Sequence, residues 1–231
     1  MRPVDKGTTT KVYARYQDAV GDLETRLGAY CSYCERPFGA LEVEHIQPKK
    51  INPALLTSWS NFLLSCKTCN TIKGHQPTTL DGALWPDLDN TFLAVKYQQH
   101  GWIEVSSTLD GTVAPKASKL VSLIKLDRHH LALDRRLKPT KRDGRSSKRA
   151  QIWDLAAKWK AKVANWNASQ RQEALELIRD MALGYGCFSV WMTVFANEPD
   201  VCLELISAFT NTAPDCFDAT GSPIPRPGGR L

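Results

Sequence analysis

Residues 31–75 read CSYCERPFGALEVEHIQPKKINPALLTSWSNFLLSCKTCNTIKGH, and two Cys-x-x-Cys pairs in this stretch, Cys31/Cys34 and Cys66/Cys69, bracket the doublet Glu44-His45. The second pair runs straight into Asn70 and Lys73. Four thiolates in two short pairs suit zinc, because each pair spans two corners of a tetrahedron and the chain between them closes around the ion. An iron–sulfur cluster or a redox dithiol would use the same residue type, but the paired spacing and the lack of a βαβ pattern around either pair favour zinc. A site of four cysteines is coordinatively closed and leaves no position for an activated water. Any chemistry therefore belongs to the residues between and beside the pairs, with Glu44, His45, Asn70 and Lys73 as the candidates.

In LEVEHI, residues 41–46, side chains alternate if the segment is a strand: Leu41, Val43 and His45 on one face, Glu44 and Ile46 on the other. A regular strand separates Glu44 from His45. They can share a site only where the strand ends or bulges, and Gln47-Pro48 supplies such an end.

These residues carry a family resemblance. Glu44-His45, Asn61 and Cys66-x-x-Cys69-Asn70-x-x-Lys73-Gly74 resemble the HNH endonuclease motif. The wording YCSYCERP, EHIQPKK, WSNFLLSC and CNTIKG is similar, more narrowly, to the HNH subunit of Septu antiphage systems, PtuB, and to related retron-associated HNH proteins; a weaker similarity continues into LVSLIKLDRHHLALDRRL and CFSVWMTVF. The resemblance implies a ββα-metal core, two strands and a helix gripping one catalytic ion. It implies that His45 is the general base, that Glu44, where aspartate is usual, binds the ion together with Asn70, that Asn61 pins the loop before the helix, and that Lys73 lies near the scissile phosphate. Asparagine rather than histidine at residue 70 supplies a hard neutral oxygen, which suits Mg²⁺ or Mn²⁺ better than a catalytic Zn²⁺. The implied activity is metal-dependent hydrolysis of phosphodiester bonds in DNA during antiphage defence, with an ABC/SMC-like ATPase of PtuA type as partner. Two alternatives stay open: a zinc-stapled subunit with a degenerate site that only docks nucleic acid or an ATPase, and a nuclease directed at RNA or tRNA, since nothing readable here reports on a 2′-hydroxyl.

The whole chain fits this class without requiring it. It has 231 residues with 30 basic and 24 acidic side chains, a net charge of +6 that is compatible with a polyanion partner. No apolar run approaches the roughly 18 residues that span a bilayer, and MRPVDKGTTT lacks the apolar segment of a signal peptide, so the expected location is cytoplasmic, where thiols stay reduced. Neither a Walker-type nor a Rossmann glycine pattern occurs, so no ATPase is expected in the chain itself.

Around the core, the expectation is an α+β protein with a helical C-terminal part. Residues 1–30 hold an amphipathic helix from Lys11 to Gly28, with Tyr13, Tyr16, Val20, Leu23 and Leu27 facing the 31–75 core. Residues 76–116 read as a connector and a hairpin, TFLAVKY and WIEVSS about QQHG. Residues 117–212 contain four helical stripes: Ala117, Leu120, Val121, Ile124; Ile152, Leu155, Ala156, Trp159, Val163; Ala174, Leu177, Ile178, Met181; and Cys202, Leu205, Ile206, Phe209. CFSVWMTVF has no polar face and is expected at the centre of that bundle or in a partner interface. Residues 134–149, rich in Lys and Arg, read as a solvated loop or as an arm that tracks phosphates. Residues 213–231, with GSPIPRPGGRL, read as a disordered tail.

Overall fold

A computed structural model describes residues 1–163 and 166–231. A 3₁₀ turn at Tyr16–Ala19 leads into helix α1 (Val20–Leu27). Strands β1 (Glu42–His45) and β2 (Phe62–Ser65) pair antiparallel, with Glu44 opposite Leu63 and His45 opposite Phe62. Helix α2 (Lys67–Lys73) follows β2 at once, with Cys66 as its N-cap. All four residues of β2 are buried, which explains why FLLS reads as a plain apolar run instead of an alternating one. β1 ends at His45, and the Ile46 amide is already bonded to the carbonyl of Asn61 at 2.9 Å.

Beyond this ββα unit lie a single helical turn α3 (Thr91–Ala94), the hairpin strands β3 (Val95–Tyr97) and β4 (Ile103–Val105), and helices α4 (Ala114–Ile124), α5 (Arg145–Val163), α6 (Ala168–Tyr185), α7 (Phe188–Val194) and α8 (Pro199–Ala208). The fold is thus α+β, a small stapled core followed by a helical region. Buried apolar side chains from Met1 to Phe217 join in one cluster, so the helical part shares its core with the ββα unit. Among the described residues, no helix is long and apolar enough to cross a membrane.

Several elements depart from the sequence expectation. The helix expected from Lys11 occupies only the second half of that span, because Tyr13 is held in a non-helical segment. Its ring stacks on Trp59 at 6.1 Å, and its hydroxyl donates to Asp22 at 2.9 Å. The first half of TFLAVKY is the helical turn α3, capped by the Asn90 side chain, which accepts from the amides of Phe92 and Leu93. Leu177 faces solvent, 49% exposed, and the buried stripe of α6 runs through Ala174, Ile178 and Ala182 at steps of four.

The basic run is not one loop. Helix α5 begins at Arg145, and Arg145 and Arg149 are both buried as structural cations, Arg149 donating to the carbonyls of Gly101 and Leu126. The tail is ordered as well. Asn90 Nδ2 donates to the carbonyls of Cys216 and Ile224, both at 2.7 Å, and Arg230 pairs with buried Asp89 at 2.6 Å, so two polar side chains of the core satisfy a segment that has little apolar bulk of its own. In CFSVWMTVF, Phe188, Trp191 and Phe195 are fully buried within the chain. This segment is therefore a central helix, with Thr193 its one partly exposed side chain.

The tip of the β3–β4 hairpin packs directly on the start of α5. Gly101 has φ 75°, and a Cβ there would run into the backbone carbonyl of Ser146. Gly101→Ala combines left-handed backbone with forced overpacking, and is expected to destabilise the protein by at least the roughly 1–3 kcal/mol typical of overpacked sites. Chemical denaturation checks this; an unchanged midpoint would mean that the hairpin does not rest on α5.

Candidate active site

The four cysteines meet as the spacing requires. Cys31 and Cys34 sit on a turn closed by the Glu35 amide donating to the Cys31 carbonyl at 2.8 Å, while Cys66 caps α2 and Cys69 lies in its first turn. All four are buried, and their sulfurs lie within 4.8 Å of one another, the only such cluster of His, Cys, Asp or Glu among the described residues. Sulfurs about 2.3 Å from a tetrahedral zinc stand about 3.8 Å apart. Cys34 Sγ and Cys66 Sγ are 3.8 Å apart. Burial opposes ionisation of Cys31, but hydrogen bonds from Cys34, Cys66 and Cys69 hold it well below the usual thiol range; hydrogen bonds to Cys31, Cys66 and Cys69, with burial, hold Cys34 well above it. Cys66 is likewise shifted below the usual thiol range and Cys69 above it, so the cluster divides into two thiols that ionise readily and two that resist, and a divalent cation would offset the charge of all four. The set fits a structural zinc ion. Its outer partner is Arg145, whose Nη1 lies 3.4 Å from Cys69 Sγ and 2.8 Å from the carbonyl of Ile124.

Beside the cluster, β1 and α2 exchange polar side chains along one face. Glu42 and Glu44, two residues apart, share a face of the strand; Asn70 and Lys73, three apart, share a face of the helix. Asn70 Nδ2 donates to Glu42 Oε2 at 2.5 Å, and Lys73 Nζ pairs with Glu44 Oε1 at 2.6 Å. Since Nδ2 is held by Glu42, the Asn70 Oδ1 is the atom left to accept or to ligate. Burial pushes the Glu44 carboxyl up to about 7, against the pull of the Lys73 ammonium, so a cation at this carboxylate would stabilise its charged form.

Lys73 differs from expectation. It is 1% exposed, and its Nζ also donates to the His45 carbonyl at 2.6 Å. It therefore holds β1 to α2 from inside and does not offer a cation to a phosphate.

His45 leaves β1 on the opposite side from Glu44. Its ring lies edge-on to Tyr16 at 4.9 Å and to Phe62 at 5.3 Å, and its Nε2 is 2.9 Å from the Leu56 carbonyl. A carbonyl can only accept, so Nε2 carries the proton and Nδ1 is the basic nitrogen. Burial lowers the pKa of His45 below its ordinary value, partly offset by the Leu56 bond, and Lys49 and Lys73 lower it further, which keeps the ring neutral near pH 7. Asn61 secures the loop that brings Leu56 to this ring: its Oδ1 accepts from the Gln47 amide at 2.8 Å, and its Nδ2 donates to the Gln47 carbonyl at 3.0 Å and to Leu55 at 3.5 Å.

Although Glu44 and His45 leave the strand on opposite sides, both line one cavity of about 370 Å³, together with Tyr16, Glu42, Lys49 and Asn70. Three participants escape a reading of the sequence. Glu42 could be found from its two-residue spacing to Glu44. Tyr16 reads there as a core residue of a helix, and the Leu56 carbonyl has no side-chain signal at all.

Comparison with known proteins agrees with this geometry. Residues 31–76 match the HNH endonuclease family. Over 63 residues the chain is 38% identical to the Septu protein PtuB of Bacillus thuringiensis, a match that covers 26% of this chain and 24% of that relative. The chain is thus matched over only about a quarter of that curated relative's length. No solved structure matches.

The cluster predicts that the purified protein holds one tightly bound zinc. Cys66→Ser should lose the metal and cooperative unfolding together, since structural zinc contributes about 10–16 kcal/mol, as much as a whole domain's stability. Arg145→Met should retain zinc but release it to a chelator about 10–100-fold more readily, the usual effect of removing an outer partner. Metal analysis and thermal unfolding check both, and a folded, zinc-free wild-type protein would exclude the site.

Proposed function

We propose that this protein is a metal-dependent HNH endonuclease that hydrolyses phosphodiester bonds of DNA, acting in the cytoplasm as the effector subunit of a Septu-type defence complex with a PtuA-type ATPase. The single observation that carries the nuclease reading is the arrangement of His45: neutral, with Nε2–H committed to Leu56 and Nδ1 without a hydrogen-bond partner among the described residues, in the same cavity as Glu44 and Asn70. The defence setting and the ATPase rest on similarity to PtuB alone.

Phosphodiester hydrolysis needs a nucleophile made from water and an offset for charge that builds on the phosphate and the leaving oxygen. His45 Nδ1 takes the proton from the attacking water, and the Leu56 bond holds the imidazole in the tautomer that can do so. Glu44 and Asn70 Oδ1 would hold a divalent ion, Mg²⁺ or Mn²⁺, whose Lewis acidity serves the phosphate. Glu42 fixes the rotation of the Asn70 carboxamide, and Lys73 holds Glu44 in place from behind. Asn61 keeps the Leu56 carbonyl within reach of His45 by bridging Gln47 and Leu55.

These residues should fail in different ways. His45→Ala should retain fold and zinc while lowering single-turnover cleavage of plasmid DNA in Mg²⁺ or Mn²⁺ by about 10²–10⁴. Asn70→Ala should abolish cutting, with partial recovery at raised Mn²⁺. Asn61→Ala should act chiefly on stability, at about 1–3 kcal/mol for each buried backbone group left unpaired. Cleavage by His45→Ala at the wild-type rate would exclude the nuclease reading and leave a binding subunit. Cleavage of RNA in place of DNA would keep the chemistry and change the substrate.

A further inference from the structure

With Lys73 buried, the cavity needs another cation to meet a phosphate. Two lysines line it, and Lys67 is paired with Glu42 at 3.2 Å. Lys49 is different. Among the described residues it has no acidic partner, and its Nζ instead donates to the hydroxyl of Tyr16 at 2.5 Å and sits 3.9 Å from the centroid of the Tyr16 ring. A neutral partner positions an ammonium without cancelling its charge. Lys49 keeps two N–H donors beyond the one given to Tyr16, and the Tyr16 hydroxyl, which accepts from Lys49, keeps its own O–H. The pair therefore offers three donors and one net positive charge, the complement of a phosphodiester, whose single negative charge is shared by two non-bridging oxygens.

The same tyrosine ring packs edge-on against His45 at 4.9 Å, so the pair and the imidazole share one wall of the cavity. Tyr16 belongs to the 3₁₀ turn before α1, outside the 31–76 segment that matches the HNH family. We propose that Lys49 and Tyr16 form the phosphate-binding corner of this cavity and hold a backbone phosphodiester beside His45. The proposal rests on the nuclease reading above. It assigns to the N-terminal segment a direct part in substrate binding, and to Lys49 the phosphate contact that Lys73, paired inside the protein, does not make.

The test is binding of a short DNA duplex to the zinc-loaded 231-residue chain, with Ca²⁺ added to discourage turnover, over a series of salt concentrations. Single-turnover cleavage in Mn²⁺ is measured in parallel. Each phosphate contact contributes about 0.9 to the slope of log affinity against log salt. Lys49→Met should lower that slope by about one, weaken binding several-fold for every DNA sequence alike, and leave zinc content and thermal unfolding unchanged. Lys49→Arg should restore most of the affinity and the slope, and Tyr16→Phe should keep the slope but raise KM. Should Lys49→Met fold poorly, Lys49→Gln makes the same measurement. A Lys49 variant that binds with wild-type affinity and slope, while the wild type binds and cuts, overturns the phosphate corner and leaves the nuclease reading intact. A lowered slope in a protein that never cuts supports the corner and overturns the nuclease reading. Absence of any binding to DNA or RNA by the wild type overturns both.

Discussion

The ion pair between Glu44 and Lys73 fixes how strand β1 and helix α2 face each other. Both groups are almost wholly buried, 3% and 1% exposed, at a separation of 2.6 Å. Removing a carboxylate and an ammonium from water costs several kcal/mol per ion, and the loss is recovered only when geometry and further hydrogen bonds are good. Here the second bond of Lys73, to the His45 carbonyl, ties the ammonium to the backbone of the doublet itself. Such a pair tolerates little rotation of α2. One turn earlier on the same helix, Asn70 therefore meets Glu42, and Cys66 and Cys69 meet Cys31 and Cys34.

Cohesion between the core and the helical region follows from a second buried cation. Arg145 stands at the first residue of α5, bound to Asp143, to the carbonyls of Ile124 and Lys125 at the end of α4, and to Cys69 Sγ. One guanidinium thus satisfies the C-terminal carbonyls of one helix, starts another and touches the sulfur cluster. Arg149, one turn on, reaches Gly101 at the hairpin tip and Leu126. A planar guanidinium has five donors in a fixed fork, so Arg145 reaches Asp143, two carbonyls and Cys69 Sγ at once, more partners than the three donors of a lysine could serve.

The parts of this architecture that were legible in the sequence are those that chemistry forces into a local pattern. The paired cysteines and most of the apolar stripes follow from ligand spacing or periodicity within a few residues, while the Glu44-His45 doublet and Asn61 stand out through their resemblance to the HNH motif. What was hidden depends on distant partners. The spacing of Lys73 gives no sign of whether its ammonium faces solvent or a carboxylate from another element. Arg145 and Arg149 look like members of a solvated charge run, since burial of a cation is decided by carbonyls some twenty to fifty residues away. The ordered tail was hidden for the same reason: its composition suits disorder, and its partners, among them Asn90, Asp89 and the carbonyl of Val4, lie far upstream.

Lys73 also links the two groups of the doublet electrostatically. Burial alone would protonate Glu44 and deprotonate His45, so it opposes an ionised carboxylate at the first and favours a neutral imidazole at the second. The Lys73 ammonium draws the Glu44 pKa down and the His45 pKa further down as well. A single buried positive charge thereby pushes both side chains toward an ionised carboxylate beside a neutral imidazole, although the strand sends them to opposite sides. A glutamine or methionine at residue 73 would fill much of the same space and keep neither effect. The position of this lysine inside the protein thus lets its charge act on Glu44 and His45 directly, and in the proposed reaction that influence would need no contact with the substrate.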